Sequence, residues 1–273
     1  MPTVVNGPAY YMQQYGDQSI ACNQYALGKL GVDQTNCSLK IEDYVISCAP
    51  FQLGFKRSIF LAYLSKQELT FFNRYINGFV GLSIAFASGR KSGESLKFFI
   101  RCNLTTLGQM KGRENVGLFV VDYKNTLDEL TVLLGAYLEN QKHLHAQYEK
   151  YGDTTIKITA DVAKAMGYNM YCTITEPTMG EKRIQIFSLS SKTIEHLEAA
   201  GAPVRNLGSP AAYQLYFKKF RISAAGTITE AVKLPQGIVK TTAKLAFSPE
   251  LVEIIDDYYV LCNNSSQEPG KHS

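Results

Sequence analysis

Three segments of the chain place hydrophobic residues three and four positions apart, the spacing that gives an α-helix one apolar face. Two of them begin with a capping box, Ser65 with Glu68 and Thr126 with Glu129, in which a hydroxyl and a carboxylate satisfy free backbone amides. The third follows Ser248, with a proline at the first helical position. We therefore predict helices that begin at these three points. The second is expected to be long and to end at about residue 150.

Most of the remaining chain alternates hydrophobic and polar residues, which is typical of strands with one buried face. The strands fall into two sets, and the last strand of each set runs directly into a capped helix. The predicted strands are 78–86, 96–103, 116–123, 169–175, 183–188, 213–223, 226–234 and 238–247, and a short helix is predicted at 192–200. The pattern predicts a fold that is mainly β with α-helices: two small antiparallel β-barrels, each ending in an amphipathic helix, joined by a long helix and a short linker.

The order of these elements divides the chain into two domains, in keeping with its length of 273 residues. We predict an irregular, tyrosine-rich N-terminal arm at 1–38 and a first barrel domain with its C-terminal helix at 39–151. A second barrel domain is predicted at 152–261. The polar end of the chain, 262–273, is predicted to be disordered.

Composition and charge exclude several classes of protein. With 45% hydrophobic and 19% charged residues, the chain is globular, and its net charge of +4 is too small for a strongly polybasic nucleic-acid binder. Its longest uncharged apolar run, Phe79–Ala87, has nine residues, whereas a membrane-spanning helix needs about 20. We therefore expect no membrane span. Because no secretory signal opens the chain, we also expect a cytoplasmic location.

The residue types that carry catalysis and metal binding do not form recognisable sets. The six cysteines contain no Cys-x-x-Cys pair, so we expect reduced, buried thiols and no zinc site. His143 and His145 are two positions apart on a predicted helix and point in different directions. No nucleophile elbow, phosphate-binding loop or metalloprotease motif is present. The sequence predicts no catalytic residues, no metal and no enzyme activity.

One strand mixes cations with an aromatic residue, at Lys218, Lys219, Phe220 and Arg221. Such interleaving is typical of surfaces that bind single-stranded nucleic acid. An ordinary half-buried strand whose lysines reach solvent gives the same pattern. We favour the ordinary strand and do not expect nucleic acid as a partner, but the single-strand binder stays open as an alternative.

The second half of the chain resembles the PilZ family, small β-barrels that bind the bacterial second messenger cyclic di-GMP. The resemblance covers about residues 153–260 and rests on the Leu-Pro-x-Gly turn at 234–237 and on the closing strand that leads into Ser248, Pro249 and Glu250. The first half resembles the barrel domain that precedes PilZ in two-domain regulators of flagellar-brake type. The runs that carry this second likeness are 98–104 and 110–115.

The resemblance also implies where a ligand site would lie. Family members that bind the dinucleotide carry Arg-x-x-x-Arg at the linker between domains and Asp/Asn-x-Ser-x-x-Gly at a strand turn. No two arginines of this chain are four positions apart, and lysine lacks the planar fork that reads guanine and phosphate. The second motif falls at 188–193, where Ser190 matches, Ser188 replaces the acid or amide, and Thr193 replaces glycine.

We therefore predict a non-enzymatic bacterial regulatory or adaptor protein of PilZ type that acts through a protein partner. Its cyclic di-GMP site is expected to be lost or altered, and no resident cofactor is expected. An alternative is a functional receptor for cyclic di-GMP or another anionic nucleotide. The candidate ligand-binding residues are Lys150, Lys157, Lys164, Ser188 and Ser190.

Overall fold

The computed structural model describes residues 6–87, 95–125, 127–218 and 220–265. Its contacts group the chain into two compact units, Met1–Asn140 and Gln141–Ser273. The predicted division at 151/152 stays a prediction, because it concerns domains rather than these contact units. Among the described residues, no helix combines the length and the apolar character that crossing a bilayer requires.

The elements of the first unit are α1 (Pro8–Tyr15), β1 (Ser19–Ala21), α2 (Gln24–Leu30), β2 (Val32–Ile41), β3 (Tyr44–Ser47), β4 (Ala49–Gly54), β5 (Arg57–Tyr63), α3 (Lys66–Phe72), β6 (Phe79–Ala87), β7 (Ser95–Gln109) and β8 (Val116–Tyr123). The eight strands form one antiparallel sheet in the order β1-β4-β5-β8-β7-β6-β2-β3. The amide of Cys48 donates to the carbonyl of Cys37 at 3.1 Å and continues the pairing of β2 with β3. Alternate residues of the strands point inward, and Leu39, Phe60 and Phe119 are fully buried in the hydrophobic core of this unit.

The predicted irregular arm at 1–38 is wrong for its described part, which forms α1, β1, α2 and the start of β2. Tyr11, in α1, is 1% exposed and donates a hydrogen bond to Glu139 at 3.0 Å. A Cβ atom on Gly135 would lie 2.2 Å from the Tyr11 ring, so the two helices meet at a glycine. A helix of eight residues is not stable by itself, and its stability comes from this packing rather than from a local pattern.

The long helix, α4 (Asp128–Lys150), begins and ends where the sequence predicts. Its predicted capping residue Thr126 lies outside the described residues. The capping box of α3 is confirmed: the Ser65 hydroxyl accepts from the amide of Glu68 at 3.2 Å, and the Glu68 carboxylate accepts from the amide of Ser65 at 2.8 Å.

The elements of the second unit are β9 (Ile156–Lys157), α5 (Ala160–Met166), β10 (Tyr168–Glu176), β11 (Gly180–Leu189), β12 (Thr193–Glu198), β13 (Pro210–Phe217), β14 (Arg221–Lys233), β15 (Val239–Leu245) and α6 (Pro249–Ser265). Six of the strands form a closed antiparallel barrel in the order β10-β13-β14-β15-β12-β11, completed by pairing of β10 with β11. A seventh, very short strand, β9, pairs with the C-terminal end of β11, at Ser188 and Leu189. The predicted fold class, mainly β with helices, is thus confirmed.

Three predictions at the level of elements need correction in this unit. The segment 213–223, predicted as one strand, is divided between β13, which ends at Phe217, and β14, which begins at Arg221 and continues through the predicted break before 226. The segment 192–200 is predicted as a short helix, but most of it forms strand β12, in which Ile194, His196 and Glu198 alternate inward. Two of these three inward residues are polar, so the sequence lacks the apolar alternation that indicates a strand. Helix α6 begins after Ser248 as predicted, but it runs to residue 265 and so includes the first four residues of the predicted disordered tail. The rest of that tail, 266–273, lies outside the described residues.

Candidate functional site

The turn between β11 and β12 carries the serine that matches the second family motif. Ser190 is fully buried. Its hydroxyl oxygen accepts hydrogen bonds from the amides of Lys192 and Thr193 at 3.2 and 2.9 Å, and it donates to the carbonyl of Gly152 at 2.9 Å. A hydroxyl donates once and accepts twice, so these contacts use its hydrogen-bonding capacity inside the protein. Ser190 therefore stabilises the turn and binds Gly152 against it.

Ser188 lies two residues earlier on β11, directly opposite Lys157 of β9 in the strand register. It is buried, and its hydroxyl donates to the carboxylate of Glu195. Lys240 lies 2.6 Å from the same carboxylate. Burial acts to raise the pKa of Glu195, but the hydrogen bonds from Lys240 and Ser188 outweigh it and lower this pKa below its ordinary value. Ser188 thus supports a carboxylate that is ionised at neutral pH.

Lys192 is the cation of the turn, and it is paired with a carboxylate at the end of α4. Its ammonium lies 2.5 Å from the carboxylate of Glu149 and 5.4 Å from the centre of the Tyr148 ring. The hydrogen bond to Glu149 raises the pKa of Lys192. A Cβ on Gly152 would lie 2.6 Å from Cδ of Lys192, and the Ser191 hydroxyl donates to the carbonyl of Tyr148 at 2.6 Å. The segment 148–152 and the turn 190–193 therefore cover one another.

The end of α4 is fastened to α6 by aromatic contacts. The Tyr151 hydroxyl donates to the carboxylate of Asp256 at 2.9 Å, and its ring stacks on Tyr259 with centroids 4.5 Å apart. The ammonium of Lys150 donates to the Tyr151 hydroxyl at 3.2 Å and lies 4.7 Å from the ring centre. Burial is the main cause that raises the pKa of Tyr151. The segment 148–152, which contacts the turn 190–193, is thus also held by α6.

The structure brings together some of the sequence-predicted site residues. Lys157 and Ser188 face one another, Ser190 follows in the next turn, and Lys150 belongs to the segment that leads to Gly152. Lys164 lies on a separate element, α5, where its side chain is exposed. A role of these five residues in ligand binding stays a prediction.

The sequence analysis did not name the pair that covers the turn, Lys192 and Glu149. Lys192 lies inside the 188–193 motif, so a test of every cation in that window would have found it. Glu149 is 43 positions away in the chain, and only the fold brings it to the lysine.

A second polar cluster lies inside the barrel. Arg205, from the loop between β12 and β13, donates from Nε and Nη2 to Glu198 at 2.6 and 2.9 Å, and its Nη1 contacts Glu176. His196 Nε2 lies 3.5 Å from Glu198 Oε1, and the imidazole packs edge-on against Tyr213. All five side chains are buried. The cluster closes one end of the barrel with an internal ion network.

The described residues contain no group of three or more histidine, cysteine or acidic side chains arranged to hold a metal ion. Burial raises the pKa of the Cys48, Cys102 and Cys172 thiols to about 12. Such thiols stay protonated at neutral pH and are poor metal ligands and nucleophiles.

No protein-family model matches the chain, and no curated protein matches it. Among solved structures, the chain is similar to Borreliella burgdorferi PlzA in complex with c-di-GMP, with 12% identity and a TM-score of 0.43 over 92% of this chain and 97% of that chain. It is similar to the Bacillus subtilis inhibitor of motility MotI (DgrA), with 9% identity and a TM-score of 0.33 over 86% of this chain and 99% of that chain. The PilZ domain of Escherichia coli YcgR with c-di-GMP is 13% identical, with a TM-score of 0.28 over 42% of this chain and 95% of that chain.

The solved structures that are similar to this chain thus include a PilZ domain and a protein in complex with c-di-GMP. The function proposed below rests on the side chains of this chain.

Proposed function

We propose that this chain is a non-enzymatic regulatory adaptor of PilZ type, acting through a protein partner, with an altered cyclic di-GMP site. The observation that carries the proposal is the covered turn at 190–193. Its cation, Lys192, is paired with Glu149 and packs on Gly152, and its serine is saturated by contacts within the chain. A ligand would have to break these contacts before it reached the turn.

The chemistry of the linker supports the same proposal. Guanidinium groups bind guanine edges and phosphates through paired hydrogen bonds, and hydrogen bonds to charged groups contribute about 1.5 to 3 kcal/mol each. The linker segment 150–157 contains two lysines and no arginine. Replacing two arginines with point charges costs several kcal/mol by this measure, which turns a micromolar site into one of about millimolar affinity or weaker.

Calorimetric titration of the full chain with cyclic di-GMP tests the altered site. We expect no saturable heat at ligand concentrations up to about 100 µM, because a millimolar site is almost empty there. Micromolar binding by the unaltered chain would overturn the proposal and restore the receptor role.

A rebuilt variant provides the matched comparison. Lys150→Arg and Thr154→Arg place two arginines four positions apart, and Thr193→Gly restores the glycine of the second motif. Ser188→Asn is preferred to aspartate, because residue 188 contacts the ionised carboxylate of Glu195. Binding by this variant, with none by the natural chain and the same far-ultraviolet circular dichroism for both, supports the altered-site proposal.

The second candidate is a receptor for an anionic nucleotide that uses lysines instead of arginines. It is favoured by the exposed ammonium group on Lys157, which lies opposite Ser188 beside the turn. For this candidate, the double change Lys157→Ala and Lys164→Ala should weaken binding of cyclic di-GMP or GTP at least tenfold, whereas Lys233→Ala, at an exposed position on β14, should not. Equal affinity of the double variant and the natural chain eliminates it.

We also propose that the protein works in a reducing compartment such as the cytoplasm. The six cysteines are free thiols, and four of them are buried. This arrangement fits a compartment in which thiols stay reduced.

A further inference from the structure

The outer surface of the second barrel carries an alternating set of tyrosines and arginines across four neighbouring strands. Tyr171 of β10 lies directly opposite Tyr216 of β13, and Tyr216 lies opposite Arg221 of β14. Arg183 of β11 also points outward, and it lies opposite Thr173, which is two residues after Tyr171 on β10. We call Tyr171, Arg183, Tyr216 and Arg221 the tyrosine–arginine face.

The side chains of this face are arranged by contacts among themselves. The guanidinium carbon of Arg183 lies 4.7 Å from the centre of the Tyr171 ring, and the Tyr171 and Tyr216 rings meet edge-on with centroids 4.7 Å apart. The Tyr216 hydroxyl donates to the side-chain oxygen of Gln214 at 3.1 Å, and Arg221 donates to the same oxygen at 3.4 Å. The rings are half-buried and the two guanidiniums are exposed. The face is therefore pre-arranged, with its cations directed to solvent.

A further aromatic ring and a further cation lie close to the face, where the chain turns from β13 to β14. Phe220 is 52% exposed and stacks on the buried Phe217 with centroids 5.3 Å apart and an interplanar angle of 17°. Lys218 is exposed beside it. Phe220 follows Phe217 to the inward side of the hairpin, so an open aromatic ring and a third described cation lie at the end of the barrel next to the tyrosine–arginine face.

The charge of the surface selects an anionic occupant. Three cations, Arg183, Arg221 and Lys218, are exposed on this face or at its end. One carboxylate, Glu181, lies two residues before Arg183 on β11, so the net charge of the surface is positive. Within the described part of the chain, Arg183 and Arg221 form no ion pair with a carboxylate. Their charge is available to an anion.

We propose that the tyrosine–arginine face, with Lys218 and Phe220, binds single-stranded nucleic acid. The exposed ring of Phe220, the half-buried tyrosine rings and the guanidinium planes stack on bases whatever their identity, and the cations neutralise phosphates of the backbone. A duplex is disfavoured because its bases are already stacked and it presents only phosphates to a sheet surface. An acidic peptide would use the cations but not the stacking surfaces.

Fluorescence anisotropy of the full chain with 5′-labelled oligo(dT) and oligo(rU) of 20 nucleotides tests the inference. Three cations predict that affinity falls about 40-fold between 50 and 300 mM salt, because the logarithm of the binding constant falls by about 0.7 per neutralised phosphate on single strands. Arg183→Gln with Arg221→Gln should leave one cation, so the salt dependence should shrink to about fourfold and binding at 50 mM salt should weaken at least tenfold.

Matched variants distinguish binding at this surface from a general effect of the protein's net charge. Arg74→Gln with Arg113→Gln removes two cations from the first unit, and it should leave binding within twofold of the natural chain. Phe220→Ser should weaken binding without changing the salt dependence, because it removes a stacking ring and no charge. Equal circular dichroism and melting temperature confirm that each variant is folded.

Three results would overturn the proposal: no binding at 50 mM salt, equal loss of affinity in the two double variants, or displacement of the oligonucleotide by poly-glutamate at equal charge concentration. The last result would mark the face as a site for acidic peptides. Since this face shares no residue with the turn at 190–193, these results are independent of the cyclic di-GMP titrations.

Discussion

The ion network inside the barrel makes Arg205 the residue whose removal should be most damaging. Arg205 is 3% exposed and forms a two-pronged contact with Glu198 as well as a contact with Glu176. The side chains of the two glutamates are 5% and 2% exposed. In an Arg205→Met variant, both carboxylates would keep their burial and lose the guanidinium that contacts them.

The magnitude follows from the cost of leaving a buried charge without its partner. Removing one member of a buried ion pair typically costs about 3 to 5 kcal/mol. Here two carboxylates share the one arginine, so we expect the upper part of that range at pH 7. For a unit of this size, such a loss lowers the melting temperature by about 10 to 20 °C.

Thermal and urea unfolding followed by far-ultraviolet circular dichroism measure the loss, and hydrogen exchange by mass spectrometry assigns it to the second unit. Arg221→Met is the matched control, since that arginine is exposed and should change stability by less than about 0.5 kcal/mol. A triple variant, Glu176→Gln with Glu198→Gln and Arg205→Met, removes all the charge and should recover much of the loss. A loss below about 1 kcal/mol in the Arg205→Met variant would refute the reasoning, because it would mean that the carboxylates are solvated or neutral without the arginine.

Three further predictions concern packing, thiols and pH. Gly135→Ala should destabilise the first unit by about 1 to 3 kcal/mol, measured by urea unfolding, because its Cβ would overlap the Tyr11 ring; unchanged stability would contradict the contact between α1 and α4. At pH 8 and without denaturant, iodoacetamide should label Cys262 first, because it is exposed while the buried thiols stay protonated; rapid labelling of all six cysteines in peptide maps would argue against the burial. The lowered pKa of Glu195 adds stability at neutral pH that is lost as the pH falls through that pKa, so Glu195→Gln should flatten the acid side of the stability curve, and equal curves would contradict the role of its contact with Lys240.

The elements that local physics defines were predictable. The capping box at Ser65 and the proline start after Ser248 appear as predicted, because each is a contact between residues at most four positions apart. The long helix also has its predicted bounds, because its apolar face repeats over six turns. The sequence therefore determined where the main helices lie and that the chain is mainly β.

The parts that were missed have their reasons in tertiary contacts. Helix α1 exists because Tyr11 fits against a glycine of a distant helix, and no pattern within eight residues shows that. Strand β12 was predicted as a helix because His196 and Glu198 occupy inward positions that are normally apolar. They can do so only because Arg205, from a separate loop, neutralises the carboxylate there.

The same division applies to function. The sequence by itself determined which side chains are absent from the linker, because a missing arginine needs no structure to be noticed, and it identified the serine of the turn. Only the tertiary structure decided that the serine is saturated, that Glu149 covers Lys192, and that Tyr171 and Arg183 join Arg221 on one surface. Those facts depend on residues that are far apart in the chain and become neighbours only when strands pair in a particular register.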